Sequence, residues 1–287
     1  MTMTPKRLWE RAYGDFLMPS RLGAYRALLE AALGAGYAII SVERFWKLIG
    51  ADAVDPVRRY LVLRHDIDTG PRTAVAMWQL ERSLGIASSY YFRLSTLDLS
   101  LMADIAAAGG EASYHYEELA TVAKRRHLRT PAGALAHLPD AQDLFRRNLE
   151  RLRALTGLPM RVVAAHGDFV NRKLGLTNSA ILTDPGFRRE AGIELETYDE
   201  AFMSHITSRH ADLTSRPYWT PADPISAIRQ AEPIAYVLVH PRGWQVERCP
   251  NARDDIVRIW QGLLYALPIA PSEETGHKSA PRRSRRG

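Results

Sequence analysis

The sequence predicts an α/β fold in which parallel strands alternate with helices, as a barrel or as an open doubly wound sheet. Three observations carry that expectation. Short apolar runs such as "LVLRHDID" and "IAYVLVHP" read as strands. Amphipathic or alanine-rich runs stand between them and read as helices. No internal repeat is present, and no linker interrupts the pattern before residue 267. Strands separated by helices favour parallel pairing through right-handed crossovers.

The elements follow in order. "SRLGAYRALLEAALGAGYAII" predicts a helix from Leu22 to Leu33, a stop at Gly34 and Gly36, and a strand from Tyr37 to Ile40. "LVLRHDID" is the next strand, and "RTAVAMWQLERSLG" a helix closed by Gly85. "ASSYYFRL" reads as a strand, "SLMADIAAAGG" as a helix and "EASYHYE" as a short strand. Phe145, Leu149, Leu152 and Leu155 share one face of a helix over Asp140 to Thr156. "RVVAAHGD" and "IAYVLVHP" are strands again, and a final helix capped by Asn251 is expected to bury Ile256, Ile259, Trp260 and Leu263. The stretch from Asn171 to Pro224 carries turn signals and one strand candidate, "IELETYD", and is expected to be irregular and to cover a site.

Charge and composition narrow the function. The formal charge is +6, of which the last 20 residues, with five Lys/Arg and two Glu, supply +3. That tail, residues 268–287, is expected to be a disordered, solubilising segment. The remaining +3 is modest and no recognition motif accompanies it, which argues against nucleic-acid binding. Cys249 is the one cysteine, so an internal disulfide is excluded and a reducing compartment is suited. No apolar stretch is long enough for a signal-peptide core or a membrane span, and a cytoplasmic location is expected.

The chemistry gathers at strand ends. Alternate residues of a strand share a face, so Arg64, Asp66 and Asp68 point one way and His65 the other. His115 and Glu117 share a face in "SYHYE", "VVAAHGD" ends in His166, and "YVLVHP" ends in His240. Four strands thus finish in ionisable residues. In parallel barrels these ends form one rim, where active sites sit. Two carboxylates side by side call for a cation. Asp and neutral His are usual zinc ligands, at roughly 2.0–2.2 Å, and a bound zinc brings the pKa of water to about 7.

The ordered series "LRHDID…GP", "ASYHYE", "AAHGD" and "YVLVHPRGW" resembles the polysaccharide deacetylase (NodB-homology, carbohydrate esterase family 4-like) superfamily. It is most similar to a divergent branch whose first motif reads Arg-His-Asp-x-Asp, and the likeness runs from about residue 20 to residue 265. The resemblance implies a distorted (β/α) barrel of about seven parallel strands occupying residues 1–267. It also implies a metal-dependent hydrolase that removes an acetyl group from an N-acetylated sugar or sugar conjugate; the lack of an export signal points to a nucleotide- or lipid-linked one. By the family pattern Asp66 is the general base, Asp68 a metal ligand and His240 the general acid.

This chain departs from the family in several places. Ile67 separates two aspartates that are normally adjacent. His115 matches the first histidine ligand, but Leu119 stands where the second is expected. His166, Glu117 and Glu118 are the candidates for the third ligand; His166 is favoured because imidazole preserves the usual charge. The arginine that the family places near the base is absent from "AAHGD", leaving Arg64 or Arg93 to serve. The family's Asp and Trp of the fourth motif are faintly echoed by Asp212 and Trp219. Arg64, Glu117 and Trp244 are assigned to substrate binding, Trp244 by stacking on a sugar ring.

Ordinary structural roles are expected elsewhere. His65 is a packed histidine, Tyr90, Tyr91 and Trp78 are core, and His205 and His210 are exposed. "AKRRHLR" (Ala123 to Arg129) is a solvated face. Two alternatives to the hydrolase stand: a catalytically inactive barrel that binds carbohydrate or acts as a scaffold, and a metal-independent amidohydrolase of the same fold.

Overall fold

The computed structural model describes residues 5–214 and 216–267. Nine strands form one sheet: β1 Tyr37–Ile40, β2 Arg59–Ile67, β3 Ser89–Phe92, β4 Glu111–Tyr116, β5 Val162–Ala165, β6 Leu195–Glu196, β7 Ser208–Asp212, β8 Trp219–Thr220 and β9 Ile234–Val239. The order across the sheet is β6-β5-β4-β3-β2-β9-β7-β8. Every pairing is parallel except that of β7 with β8. β2 is long enough to pair with β1 along its first half and with β3 along its second, on the same edge. The result is the distorted (β/α) barrel that the alternation and the motif series predict, with two of its nine strands only two residues long.

β6 and β8 end the sheet, and no ladder closes it among the described residues. A side chain on the central strand ties the interior together. Arg64 on β2 donates from Nη1 to Thr197 Oγ1 just after β6 (2.8 Å) and to the Tyr236 hydroxyl on β9 (3.0 Å). Around it Val62, Tyr91, Val162, Ala164, Leu195 and Tyr236 fill the concave side. β2 is buried on both faces, as a strand between a filled barrel and an outer helical layer must be.

Local chemistry places the helices. Gly70, at φ 73°, takes the left-handed turn that L side chains avoid, and Pro71 opens the helix Pro71–Ser83 without wasting a backbone donor. Ser41 and Asp98 cap Val42–Gly50 and Leu99–Ala107 through their side-chain oxygens. Asp168 and Asn171 form a reciprocal capping box on Phe169–Leu174, immediately after β5.

Four expectations are corrected. The stretch from 171 to 224 is not irregular: it holds β6, β7, β8 and three short helices besides. Leu155 is 51 % exposed, because its helix, Leu138–Thr156, has already turned it off the core stripe of Phe145, Leu149 and Leu152. The final helix runs Arg248–Ala266, with Asn251 inside it, donating to the Asp15 carbonyl. Ile256, Ile259, Trp260 and Leu263 on that helix are 57–67 % exposed rather than buried. Residues 268–287, where a tail is expected, lie outside the described residues. No helix among the described residues is long and apolar enough to cross a membrane.

Candidate active site

Five strand ends meet at one rim of the barrel. Asp66 sits near the end of β2 and Asp68 just beyond it; His115 lies in β4, His166 follows β5, Asp212 ends β7 and His240 follows β9. Parallel pairing brings these C-terminal ends together.

Asp68, His115 and His166 converge on one point. His115 Nε2 lies 3.2 Å from Asp68 Oδ1, His166 Nδ1 lies 2.8 Å from the same oxygen, and the two ring nitrogens are 3.2 Å apart. Ligands of a tetrahedral zinc, at roughly 2.0–2.2 Å from the ion, stand about 3.4 Å from one another. The triad therefore fits a divalent cation. Two further features agree. His115 Nδ1 donates to the Ala164 carbonyl (3.0 Å), which leaves a lone pair on Nε2 facing the triad. Asp68 Oδ1 is buried and receives no aligned hydrogen bond. Burial alone would raise the Asp68 pKa, but the His166 and His115 imidazoles hold it well below the usual carboxylate range.

Asp66 is held differently. Arg64 forks onto it, Nε to Oδ1 and Nη2 to Oδ2, both at 2.7 Å. Burial pushes the Asp66 pKa up, and Arg64 chiefly, with neighbouring His115, more than reverses it, so the carboxylate stays ionised. Oδ2 is 3.5 Å from His115 Nε2, which places Asp66 beside the triad.

His240 donates from Nδ1 to Asp212 Oδ1 at 2.7 Å. Asp212 Oδ2 in turn accepts from the His240 backbone N–H and from the Trp244 indole, each at 2.8 Å. Burial lowers the His240 pKa, but Asp212 chiefly, then Asp68 and Asp66, raise it from 6.5 to about 9. The ring is thus cationic at neutral pH and can give up a proton. An ionised carboxylate and a protonated imidazole at one rim are the two halves of an acid–base pair.

Two clefts, of about 520 and 480 Å³, adjoin over this rim and share Arg11, Asp15, Asp68 and Arg258. One reaches His166 and the other His240.

The three residues assigned to substrate binding have other partners in the structure. Trp244 is 1 % exposed, packed against Tyr25 and Trp219, and its indole N–H serves Asp212, so it offers no face to a sugar. Arg64 is fully buried and positions Asp66. Both carboxylate oxygens of Glu117 are taken by Arg93 (2.8 and 2.9 Å), and it is Arg93 that lines the cleft. Glu118 is no ligand either: it accepts from Tyr114 and from Asn148 (2.8 Å). His210, expected at the surface, is buried with Nδ1 on the Ala222 carbonyl.

His65 packs on the outer face, stacked on Tyr90 at 4.0 Å. Its Nδ1 donates to the Ser89 carbonyl (2.9 Å), and its Nε2 meets Tyr25 and Glu81, each at 2.8 Å. Asn178 was not singled out by the sequence. It donates to the His166 carbonyl (2.6 Å) and to Asn171 (2.9 Å), fixing the end of β5.

No family model matches the chain. No curated protein matches it. One similar solved structure is that of a mutant of a CE4 family pseudoenzyme with restored enzymatic activity. It is 12% identical with a TM-score of 0.37; the match covers 72% of this chain and 65% of that one. What defines the class here is the chain's own geometry: a (β/α) barrel whose rim carries a carboxylate–imidazole triad, a salt-bridged aspartate and an Asp–His pair.

Proposed function

We propose that the chain is a metal-dependent amide hydrolase that removes an acetyl group from an N-acetylated sugar or sugar conjugate. The observation that carries the reading is the convergence of Asp68, His115 and His166 on one point, with Asp66 on one side. His240 lines the adjoining cleft. Asp68, His115 and His166 would hold a divalent cation, zinc by the chemistry of the donors. When bound, such an ion polarises the acetyl carbonyl and makes water a competent nucleophile near neutral pH.

The residues supply the rest. Asp66, ionised and aimed by Arg64, accepts a proton from water as its oxygen attacks the acetyl carbon. His240, protonated through Asp212, gives its proton to the nitrogen as the carbon–nitrogen bond breaks. Acetate and a free amine are the products. Arg172 and Arg258 line the cleft beside His166, which suits a phosphate-bearing conjugate such as a nucleotide- or lipid-linked sugar.

The test is amine release from N-acetylated sugars and their conjugates, with and without a chelator. Activity abolished by chelation and by Asp66→Asn supports the proposal. Activity that survives both contradicts it. Sugar binding without amine release, unchanged by alanine at Asp66, Asp68, His115 and His240, would favour the binding barrel.

A further inference from the structure

The helix Arg248–Ala266 carries an apolar stripe that no described part of the chain covers. Ile256, Ile259, Trp260, Leu263 and Leu267 are 56–67 % exposed. Their spacing puts them on one face, three and four residues apart. The opposite face is committed to the barrel. Asn251 and Tyr265 are buried; Asp254 pairs with Arg242 and Arg258, and Asp255 with Arg242 and Arg11.

Cations flank the C-terminal end of this helix. Arg129 donates to the carbonyls of Tyr265 and Leu267 (2.7 and 2.6 Å), and Lys173 lies 5.4 Å from the centre of the Tyr265 ring. Arg129, Arg172 and Lys173 are all exposed. Residues 268–287 hold five Lys/Arg against two Glu, and Ile269 is their one large aliphatic residue. In composition that segment is poor in apolar groups and carries a net positive charge.

We infer that this face docks on an anionic lipid surface, with the helix lying in the plane of the headgroups. An apolar stripe inserts into the acyl boundary, an indole is suited to the interface, and an adjacent polybasic segment supplies the second signal that stable attachment needs. A second copy of the chain fits less well, because the cationic rim would face itself. Val257, Arg258, Ile259 and Gln261 of the same helix line the cleft over Asp68 and His166, so the docking helix is also one wall of that cleft. The inference stands without the hydrolase reading.

Sedimentation of the full chain with vesicles tests it. Phosphatidylcholine vesicles containing phosphatidylglycerol should bind at least about tenfold more tightly than phosphatidylcholine alone, with binding falling as salt rises. Trp260→Ser/Leu263→Ser changes exposed positions only, so the melting temperature should hold while vesicle binding drops about tenfold or more. Equal affinity for neutral and anionic vesicles, or none for either, overturns the inference. So does binding that the double variant leaves intact, since charge alone would then account for it. A dimer in gel filtration that the double variant dissociates, without vesicle binding, would assign the face to a second copy.

Discussion

Arg64 places its Nε and Nη2 on the two oxygens of Asp66, two residues further along the same strand, with both distances 2.7 Å. The pair is buried and lies on β2, in the middle of the sheet, facing the barrel interior. One guanidinium therefore does two jobs: it ties β2 across the interior to Thr197 and Tyr236, and it keeps the Asp66 carboxylate charged.

Arg64→Ala should separate these from ordinary packing. It leaves a buried carboxylate without its partner, a loss of about 3–5 kcal/mol in unfolding free energy. Arg64→Lys keeps the charge but not the fork, so stability should return in part while amine release stays low. Denaturation curves and turnover of the two variants check this; full activity in Arg64→Lys would refute the aiming role.

The Asp212–His240 pair sets a pH dependence. His240 has its pKa raised from 6.5 to about 9 in the folded chain. Stability from the pair is therefore fully present below pH 6.5 and lost as pH rises through about 9. Activity that needs the protonated ring should fall over the same upper limb. Asp212→Asn should move that limb down by at least about one pH unit in the profile of kcat/KM. An unmoved limb would mean that another group donates the proton.

Gly243 offers a milder probe of the same pair. A Cβ there would lie 3.1 Å from Asp212 Oδ2, tighter than comfortable contact. Gly243→Ala should lower activity and shift the alkaline limb by less than Asp212→Asn does. A loss of folding without any change in the limb would contradict this.

His65 on β2 and His115 on β4, with β3 between them, face opposite layers. His65→Ala opens the stacked, hydrogen-bonded cluster of Tyr25, Glu81 and Tyr90, and should cost about 1–3 kcal/mol while leaving metal stoichiometry intact. His115→Ala should do the reverse. Melting curves and metal content of the two purified variants distinguish them.

Much of the rim is legible in the sequence because strand ends announce themselves. Asp66, Asp68, His115, His166 and His240 each close an apolar run, and parallel pairing does the rest. Asp212 is harder to see because its strand, "SRHAD", is polar and pairs on one side with only the two-residue β8. Periodicity shows that a helix has an apolar face, not that anything covers it, hence the exposed stripe of Arg248–Ala266. Trp244 misleads for a similar reason. Its neighbours Tyr25 and Trp219 come from distant chain segments, and no local pattern reports that they enclose it.

The central claim is that Asp68, His115 and His166 form one cation site. Titration of the purified chain with cobalt(II), followed by visible absorption, tests it most directly. One equivalent should bind with the intense bands of low coordination number, and Asp68→Ala, His115→Ala and His166→Ala should each abolish them. Retention of those bands in the triple variant, or no uptake by the unaltered chain, would contradict the account.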